Sequence, residues 1–227
     1  MSTPSSLRDL LTRTLDHALD YRDAEPNAPV AGLATYEELF NRLEHTLGPL
    51  PLVAEDLGLI TPEVDALRIN QGMPCMRVLQ FGFSSAEAHN HLPHRFTPDT
   101  VSYTGTHDND TTLGWWQKSS PVERAALETY VGPVALSPVW ALMRASSASV
   151  AELALVPAQD LLQLGIEARM NTPAVAAGNW SWRAPEGSFT PDLSAGLADL
   201  VEVTDRDNDP LAQPQSAPSP APTALSS

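Results

Sequence analysis

Carboxylates and imidazoles follow three predicted strands of this 227-residue sequence, at the points where the strands end. Glu55 and Asp56 come directly after an apolar run near residue 52, His94 lies in the loop after a run near 77, and His107 and Asp108 follow one near 101. In a parallel sheet, functional side chains collect at the carboxyl ends of the strands. Glu55 and Asp108 are 108 − 55 = 53 residues apart, or two strand-helix repeats, so both are predicted to face one pocket.

Two carboxylates in one cleft are what glycoside chemistry requires. One is held protonated to donate to the departing oxygen, and another is ionised to attack or to stabilise an oxocarbenium-like centre. A simpler interpretation stays open, in which Glu55 and Asp108 only cap the helices that follow them.

Histidines and tryptophans allow further interpretations. His107 and Asp108 could form a metal site with His89, His91 and His94, but histidines that bind sugar hydroxyls are a more economical explanation, and no metal or cofactor is predicted. Tryptophans either pack in a core or interface, or offer flat surfaces on which pyranose rings stack, and the candidates are Trp115, Trp116, Trp180 and Trp182.

Helix-start signals recur along the chain. Thr35 with Glu38 forms a capping-box pattern, which predicts a helix over 36–47 that ends at Gly48. A further helix is predicted from Thr61-Pro62 to near residue 72, and Ser120 with Glu123 forms another capping box. Leucines at helical spacing predict an amphipathic helix over 6–22.

Short apolar runs between these signals predict strands at 51–54, 77–83, 101–104 and 153–156. The first three start near 52, 77 and 101, so the spacings are 77 − 52 = 25 and 101 − 77 = 24 residues, the length of one strand-helix unit. Strands that alternate with helices predict a parallel sheet and an α/β fold.

Composition excludes several classes of function. Thirteen Lys and Arg against 28 acids give 13 − 28 = −15, which disfavours binding of nucleic acid or of an anionic membrane. The single cysteine, Cys75, cannot form an internal disulfide and is interpreted as a small buried residue in a reducing compartment. The N-terminus lacks the pattern of a signal peptide, so a cytoplasmic protein without a membrane span is expected.

Six stretches, in order, resemble the amylomaltase family of 4-α-glucanotransferases. They are AEDLGLITPEV at 54–64, MRVLQF at 76–81, YTGTHDNDTTLGW at 103–115, VPAQDLLQLG at 156–165, ARMNTP at 168–173 and GNWSWR at 178–183. The resemblance covers roughly residues 35–206, and the TGTHDND run is too specific to be a coincidence.

This resemblance implies a retaining transfer of α-1,4-glucan segments to a new 4-hydroxyl on glucose or another α-1,4-glucan. By position within the motifs, Glu55 would be the acid/base and Asp108 the transition-state stabiliser. His107 would bind the sugar in the donor subsite, and Asp56 and Asn171 would contact substrate. The expected partners are α-1,4-glucans and maltooligosaccharides.

The family's nucleophilic aspartate lies in an Arg-x-Asp-His context, which does not occur in this sequence. The four predicted strands correspond to the last four of eight. The chain is therefore expected to be the C-terminal half of an α-amylase-like (β/α)8 TIM barrel, with two open parallel edges. Cys75 and Ala174 stand where the family usually has Gly, which puts the geometry of two loops in question.

We therefore divide the chain into a divergent helix and loop (1–34), the half-barrel (35–206) and a Pro/Ala/Ser-rich disordered tail (207–227). The chain alone is expected to be inactive, because the nucleophile motif is absent, and a separate N-terminal barrel half is a candidate partner. The alternatives are a non-catalytic α-glucan-binding or structural half-barrel that needs a separate N-terminal half, and a hydrolase of the wider α-amylase group, which would release reducing ends instead of exchanging chains.

Overall fold

The computed structural model describes residues 35–48, 51–84, 86–134 and 137–207, together with Thr12. The chain divides into two compact units, residues 1–50 and residues 51–227. Apart from Thr12 and Asp207, the helix predicted over 6–22 and the tail predicted over 207–227 lie outside the described residues. The domain boundary predicted after residue 34 stays a prediction.

The first unit contains helix α1, Tyr36–Leu47, as the sequence predicts. Thr35 Oγ1 accepts a hydrogen bond from Glu38 N at 3.2 Å, and Thr35 N donates to Glu38 Oε2 at 2.8 Å. Gly48 ends the helix with a φ of 84°, a conformation that glycine adopts without a steric penalty. The predicted capping box and helix end are confirmed.

The second unit is built on a parallel sheet of three strands in the order β1-β2-β3, namely Cys75–Val78, Thr100–Tyr103 and Leu153–Leu155. Met76 pairs with Val101, and Val101 pairs in turn with Leu153. The parallel pairing confirms the predicted α/β architecture, because parallel neighbours need a crossover between them.

Helices connect and flank these strands. Helix α2, Pro62–Asn70, precedes β1 as predicted, and β1 is followed by three short 3-10 helices at Leu79–Phe83, Ala86–His91 and Pro93–Arg95. The later helices are α3 (Thr112–Lys118), α4 (Pro121–Val131), α5 (Pro138–Ser147), α6 (Ala158–Leu161), a 3-10 turn at Ile166–Ala168 and α7 (Pro191–Val203). Ser120 and Glu123 form the predicted capping box at α4.

Two strand predictions need correction. Residues 51–54 form no strand, because a single backbone hydrogen bond, from Ala54 N to Pro74 O at 2.9 Å, is not a ladder. The strand predicted over 77–83 ends at Val78, and the chain then turns into a 3-10 helix that buries Leu79 and Phe83. A short apolar run indicates burial, and burial alone does not require an extended chain.

The helices pack against the sheet around two apolar clusters. One contains Leu79, Leu127 and Leu142, with Trp115 and Trp116 packed against it, so the core interpretation is confirmed for these two tryptophans. The other joins α5 to α7 through Val139, Met143 and Leu200. Cys75 is 1% exposed, with Sγ 3.4 Å from Thr100 Oγ1, which confirms a small buried residue.

Candidate active site

A cavity of about 500 Å³ opens at the carboxyl edge of the sheet. Glu55, His107, Asp108 and Trp180 all line it. Its remaining wall is largely apolar and includes Leu57, Met76, Phe81, Tyr103, Leu155 and Met170. The structure thus brings both predicted catalytic carboxylates to one pocket, as their spacing indicates.

A tight turn presents His107 and Asp108 to this cavity. The turn is closed by Asn109, whose Oδ1 accepts hydrogen bonds from Thr106 N at 2.9 Å and Thr106 Oγ1 at 2.7 Å. The side chains of His107 and Asp108 themselves are 55% and 49% exposed. The backbone is therefore held while the two functional groups stay accessible to a ligand.

The segment 169–171 supports Asp108 from one side. Arg169 Nη2 donates to Asp108 O at 2.7 Å, and Asn171 Nδ2 donates to Asp108 Oδ1. Asn171 N also donates to His107 O at 3.1 Å. Asn171, predicted to contact substrate, does not line the cavity, and it orients the carboxylate that does.

Trp180 forms the outer wall beside His107. The two rings have centroids 5.1 Å apart and are tilted by 37°, and the Trp180 residue is 55% exposed. Trp180 has a φ of 60°, which is unfavourable for a bulky side chain, and Trp180 N donates to Met170 O at 2.8 Å. Among the tryptophans, this one has the exposed flat face that a sugar ring needs for stacking.

Glu55 reaches the cavity from the segment 51–60, which forms no helix or strand, and it is exposed. Within the described part of the chain, its side chain has no hydrogen-bond or ion-pair partner. Its neighbour Asp56 is turned away from the cavity, since Asp56 Oδ1 accepts from Met76 N at 2.7 Å and Asp56 Oδ2 from Arg77 Nη1 at 2.6 Å. Asp56 therefore anchors this segment to β1, and the structure does not bring it to the predicted substrate contact.

The three histidines between β1 and β2 do not line the cavity. His91 Nδ1 accepts a hydrogen bond from Val78 N at 3.1 Å, and burial, with the nearby Arg77 charge, lowers the pKa of His91. His94 Nδ1 lies 3.1 Å from Tyr130 Oη, and His89 is exposed. Among the described residues, no three His, Cys, Asp or Glu side chains are grouped so as to hold a metal ion.

Sequence reasoning assigned no role to two further acidic residues that line the cavity, Asp110 and Asp160. Asp160, at the start of α6, lines the floor of the cavity and is 1% exposed. Burial raises its pKa, while hydrogen bonds from Thr104 and Thr112 act in the opposite direction. The available signal was its place in the VPAQDLLQLG motif, directly after β3.

The structure therefore combines a parallel α/β sheet with a cavity at its carboxyl edge that Glu55 and Asp108 both line. A family model described as 4-alpha-glucanotransferase matches residues 24–189. The chain belongs to this 4-alpha-glucanotransferase family, as the sequence motifs predict.

Individual relatives agree with the family match. The chain is 45% identical to the 4-alpha-glucanotransferase of Thermus thermophilus over 178 residues, which cover 75% of this chain and 36% of the relative. It is 46% identical to the enzyme of the same name from Synechocystis over 173 residues, covering 75% of this chain and 34% of that one. The amylomaltase of Streptococcus agalactiae, solved with acarbose, superposes with a TM-score of 0.71 at 32% identity, covering 76% of this chain and 35% of that one.

The chain thus spans about a third of the length of the curated relatives it matches. A relative from Arabidopsis thaliana, 40% identical over 174 residues, is described as chloroplastic or amyloplastic. None of the described helices has the length and apolar character needed to cross a membrane. The cytoplasmic location stays a prediction from the cysteine content and the N-terminal sequence.

Proposed function

We propose that this chain supplies the acid/base and the transition-state stabiliser of a retaining 4-α-glucanotransferase site. The reaction would move a segment of an α-1,4-glucan to the 4-hydroxyl of glucose or of another α-1,4-glucan. One observation carries the proposal: Glu55, His107, Asp108 and Trp180 line the same cavity at the carboxyl edge of the sheet.

Glu55 would act as acid and then as base. Its carboxylic proton goes to the glycosidic oxygen as the bond from that oxygen to the anomeric carbon breaks, and an aspartate nucleophile bonds to the same carbon. The 4-hydroxyl of the acceptor then attacks this carbon, releases the nucleophile and returns its proton to Glu55. Because Glu55 has no partner within the described residues, its carboxyl group is available for both proton transfers.

Asp108, His107 and Trp180 would bind the sugar whose anomeric carbon reacts. Asp108 Oδ2 is available for a ring hydroxyl, because Asn171 Nδ2 donates to Asp108 Oδ1. Hydrogen bonds that strengthen as the ring distorts stabilise the transition state more than the ground state, so they raise the rate. The exposed face of Trp180, beside His107, gives the ring an apolar surface.

The nucleophile would come from a segment outside these 227 residues, since the sequence has no Arg-x-Asp-His. We infer that the chain is the C-terminal portion of an α-amylase-like (β/α)8 barrel. Strand β3, with Leu153 and Leu155 48% and 44% exposed, would pair with a further strand. A separate N-terminal half would supply that strand and the missing aspartate.

Transfer activity tests the proposal. The chain is incubated with maltotriose, alone and after co-expression with the N-terminal part of a relative, and glucose and longer maltodextrins are measured. We expect disproportionation only in the combined sample, and loss of about 10³-fold or more with Glu55→Gln, the order of magnitude for removing a general acid. Glu63→Gln, on the exposed first turn of α2, is the matched control and should keep full activity.

Three results would contradict the proposal. Equal activity of the Glu55→Gln and wild-type combinations would reject the acid assignment. Robust transfer by the chain alone would reject the need for an outside nucleophile, and release of reducing ends without longer products would favour a hydrolase.

A glucan-binding module without catalysis is the second candidate. The absence of the nucleophile motif from the sequence and the exposed Trp180 favour it. This candidate predicts that the chain binds acarbose by itself, that Trp180→Ala weakens the binding, and that no co-expressed N-terminal part restores transfer.

A further inference from the structure

The two ends of the loop that carries His107 and Asp108 meet one buried carboxylate. Asp160 Oδ2 accepts hydrogen bonds from Thr104 Oγ1 at 2.6 Å and from Thr112 Oγ1 at 2.7 Å. Asp160 Oδ1 accepts a third bond, from Thr112 N at 2.6 Å. Because Thr104 precedes the loop and Thr112 follows it, one side chain ties both of its ends together.

Gln80 extends this network to the end of β1. Gln80 Nε2 donates to Asp110 O at 3.1 Å and to Thr112 Oγ1 at 3.3 Å. The Thr112 hydroxyl donates its single proton to Asp160, so its oxygen can accept from Gln80. Gly105 leaves room for this contact, since a Cβ there would lie 2.5 Å from Gln80 Nε2.

The network is removed from solvent. Thr104 and Thr112 are fully buried, and Gln80 is 3% exposed. Within the described part of the chain, no cation forms an ion pair with Asp160, so the three donors replace the solvation that its carboxylate has lost. Removing one donor from a buried charged group therefore destabilises the fold more than removing a surface hydrogen bond does.

We propose that Asp160 is a positioning residue for the loop that presents His107 and Asp108, an inference that rests on the proposed function. Its oxygens are occupied by Thr104 and Thr112, so it acts through them and not on the sugar. In the proposed reaction the carboxyl group of Asp108 hydrogen-bonds a hydroxyl of the distorted sugar ring, which requires a fixed position of the loop. A displacement of the loop by an ångström would therefore weaken binding of a transition-state analogue and slow the reaction.

The position of the loop can be measured by NMR on the full chain without any glucan. The Trp180 ring, 5.1 Å from His107, displaces the Cε1–H resonance of His107 by its ring current, and Trp180→Leu gives the undisplaced reference. We expect Asp160→Asn to lose most of this displacement. Ser146→Ala is the matched control, because it removes a different buried hydrogen bond, to Ser102 at 2.7 Å, and should leave the resonance unchanged.

Acarbose binding, measured by calorimetry on the chain combined with the N-terminal part of a relative, provides the second arm. We expect Asp160→Asn to weaken binding roughly tenfold, which corresponds to about 1.4 kcal/mol, and Ser146→Ala to leave it unchanged. A wild-type combination that does not bind acarbose contradicts the proposed function, whereas the His107 resonance of the chain still decides the positioning role.

If Asp160→Asn does not fold, Thr104→Val tests the positioning role of Asp160 instead. This variant deletes one donor and keeps the shape of the side chain, so we expect a partial loss of the His107 displacement. Thr104→Ser restores the hydroxyl and should restore the resonance. A folded Asp160→Asn or Thr104→Val chain with the wild-type His107 resonance would overturn the proposal.

Discussion

The two segments that bring carboxylates to the cavity are held in different ways. The loop with Asp108 is tied at both ends by the buried carboxylate of Asp160 and is supported by Asn171. The segment with Glu55 is held by the hydrogen bond from Ala54 N to Pro74 O and by the Asp56 carboxylate on Met76 N and Arg77. The first anchor is fully buried, with Asp160 1% exposed, and the second is partly buried, with the side chains of Asp56 and Arg77 9% and 22% exposed.

This difference follows from the neighbours that each segment has. The Asp108 loop leaves β2, the central strand, which has a paired strand on each side. The Glu55 segment lies beside the sheet, and residues 51–53 are exposed. The Asp108 loop is therefore held by interior residues of this chain, whereas the Glu55 segment, among the described residues, has contacts with the sheet on one side only.

The largest expected effect concerns the buried anchor. Thr112→Val removes a donor from Asp160 and an acceptor from Gln80, so we expect it to lower the free energy of unfolding by about 2 to 3 kcal/mol. Urea denaturation measures the change. Thr112→Ser keeps the hydroxyl and should lose well under half as much, and equal losses in both variants would remove the hydrogen bonds as the cause.

A smaller effect is expected at the other anchor. Asp56→Asn weakens the contact with Arg77 and should cost about 1 kcal/mol, because the pair is partly exposed to solvent. Hydrogen exchange at Ala54 N–H should accelerate, while exchange in β2 stays slow. Asp65→Asn, which alters an exposed partner of Arg68, is the control. If Asp56→Asn lowered the free energy of unfolding as much as Thr112→Val does, the two segments would be held equally firmly.

The smallest expected effect concerns the backbone at Ala174, close to the segment that supports Asp108. Ala174, between Asn171 and Trp180, is exposed and has a φ of 62°, a conformation that is sterically unfavourable for an L-residue. We expect Ala174→Gly to raise the free energy of unfolding by about 0.5 to 1 kcal/mol. Ala148→Gly, at a φ of −79°, should lower it, and a change of the same sign at both sites would exclude backbone strain as the cause.

Local patterns predicted much of the fold. The capping boxes at Thr35 and Ser120 are each closed by a residue three positions away, so their geometry is visible in a short stretch of sequence. The strands at 101–104 and 153–156 were placed to within a residue or two. The run at 51–54 failed because a strand needs a partner along its length, which the apolar pattern does not reveal.

The site residues divide in the same way. The motifs indicated Glu55, His107 and Asp108, and all three line the cavity. They also indicated Asp56, whose carboxylate is engaged by Met76 and Arg77 and not by the cavity. Glu55 lines the cavity, whereas the Asp56 carboxylate is taken up by Met76 N and Arg77, and the motif itself does not distinguish the two neighbours.

The sequence by itself determined the family, the α/β class and the residues that could perform glucan transfer, because these depend on motifs and local spacing. Only the tertiary structure decided how firmly each residue is held. Asp160 bonds to Thr104 and Thr112, which lie 56 and 48 positions away in the chain. Burial and hydrogen-bond partners at that separation depend on the packed fold, so no local pattern in the sequence reveals them.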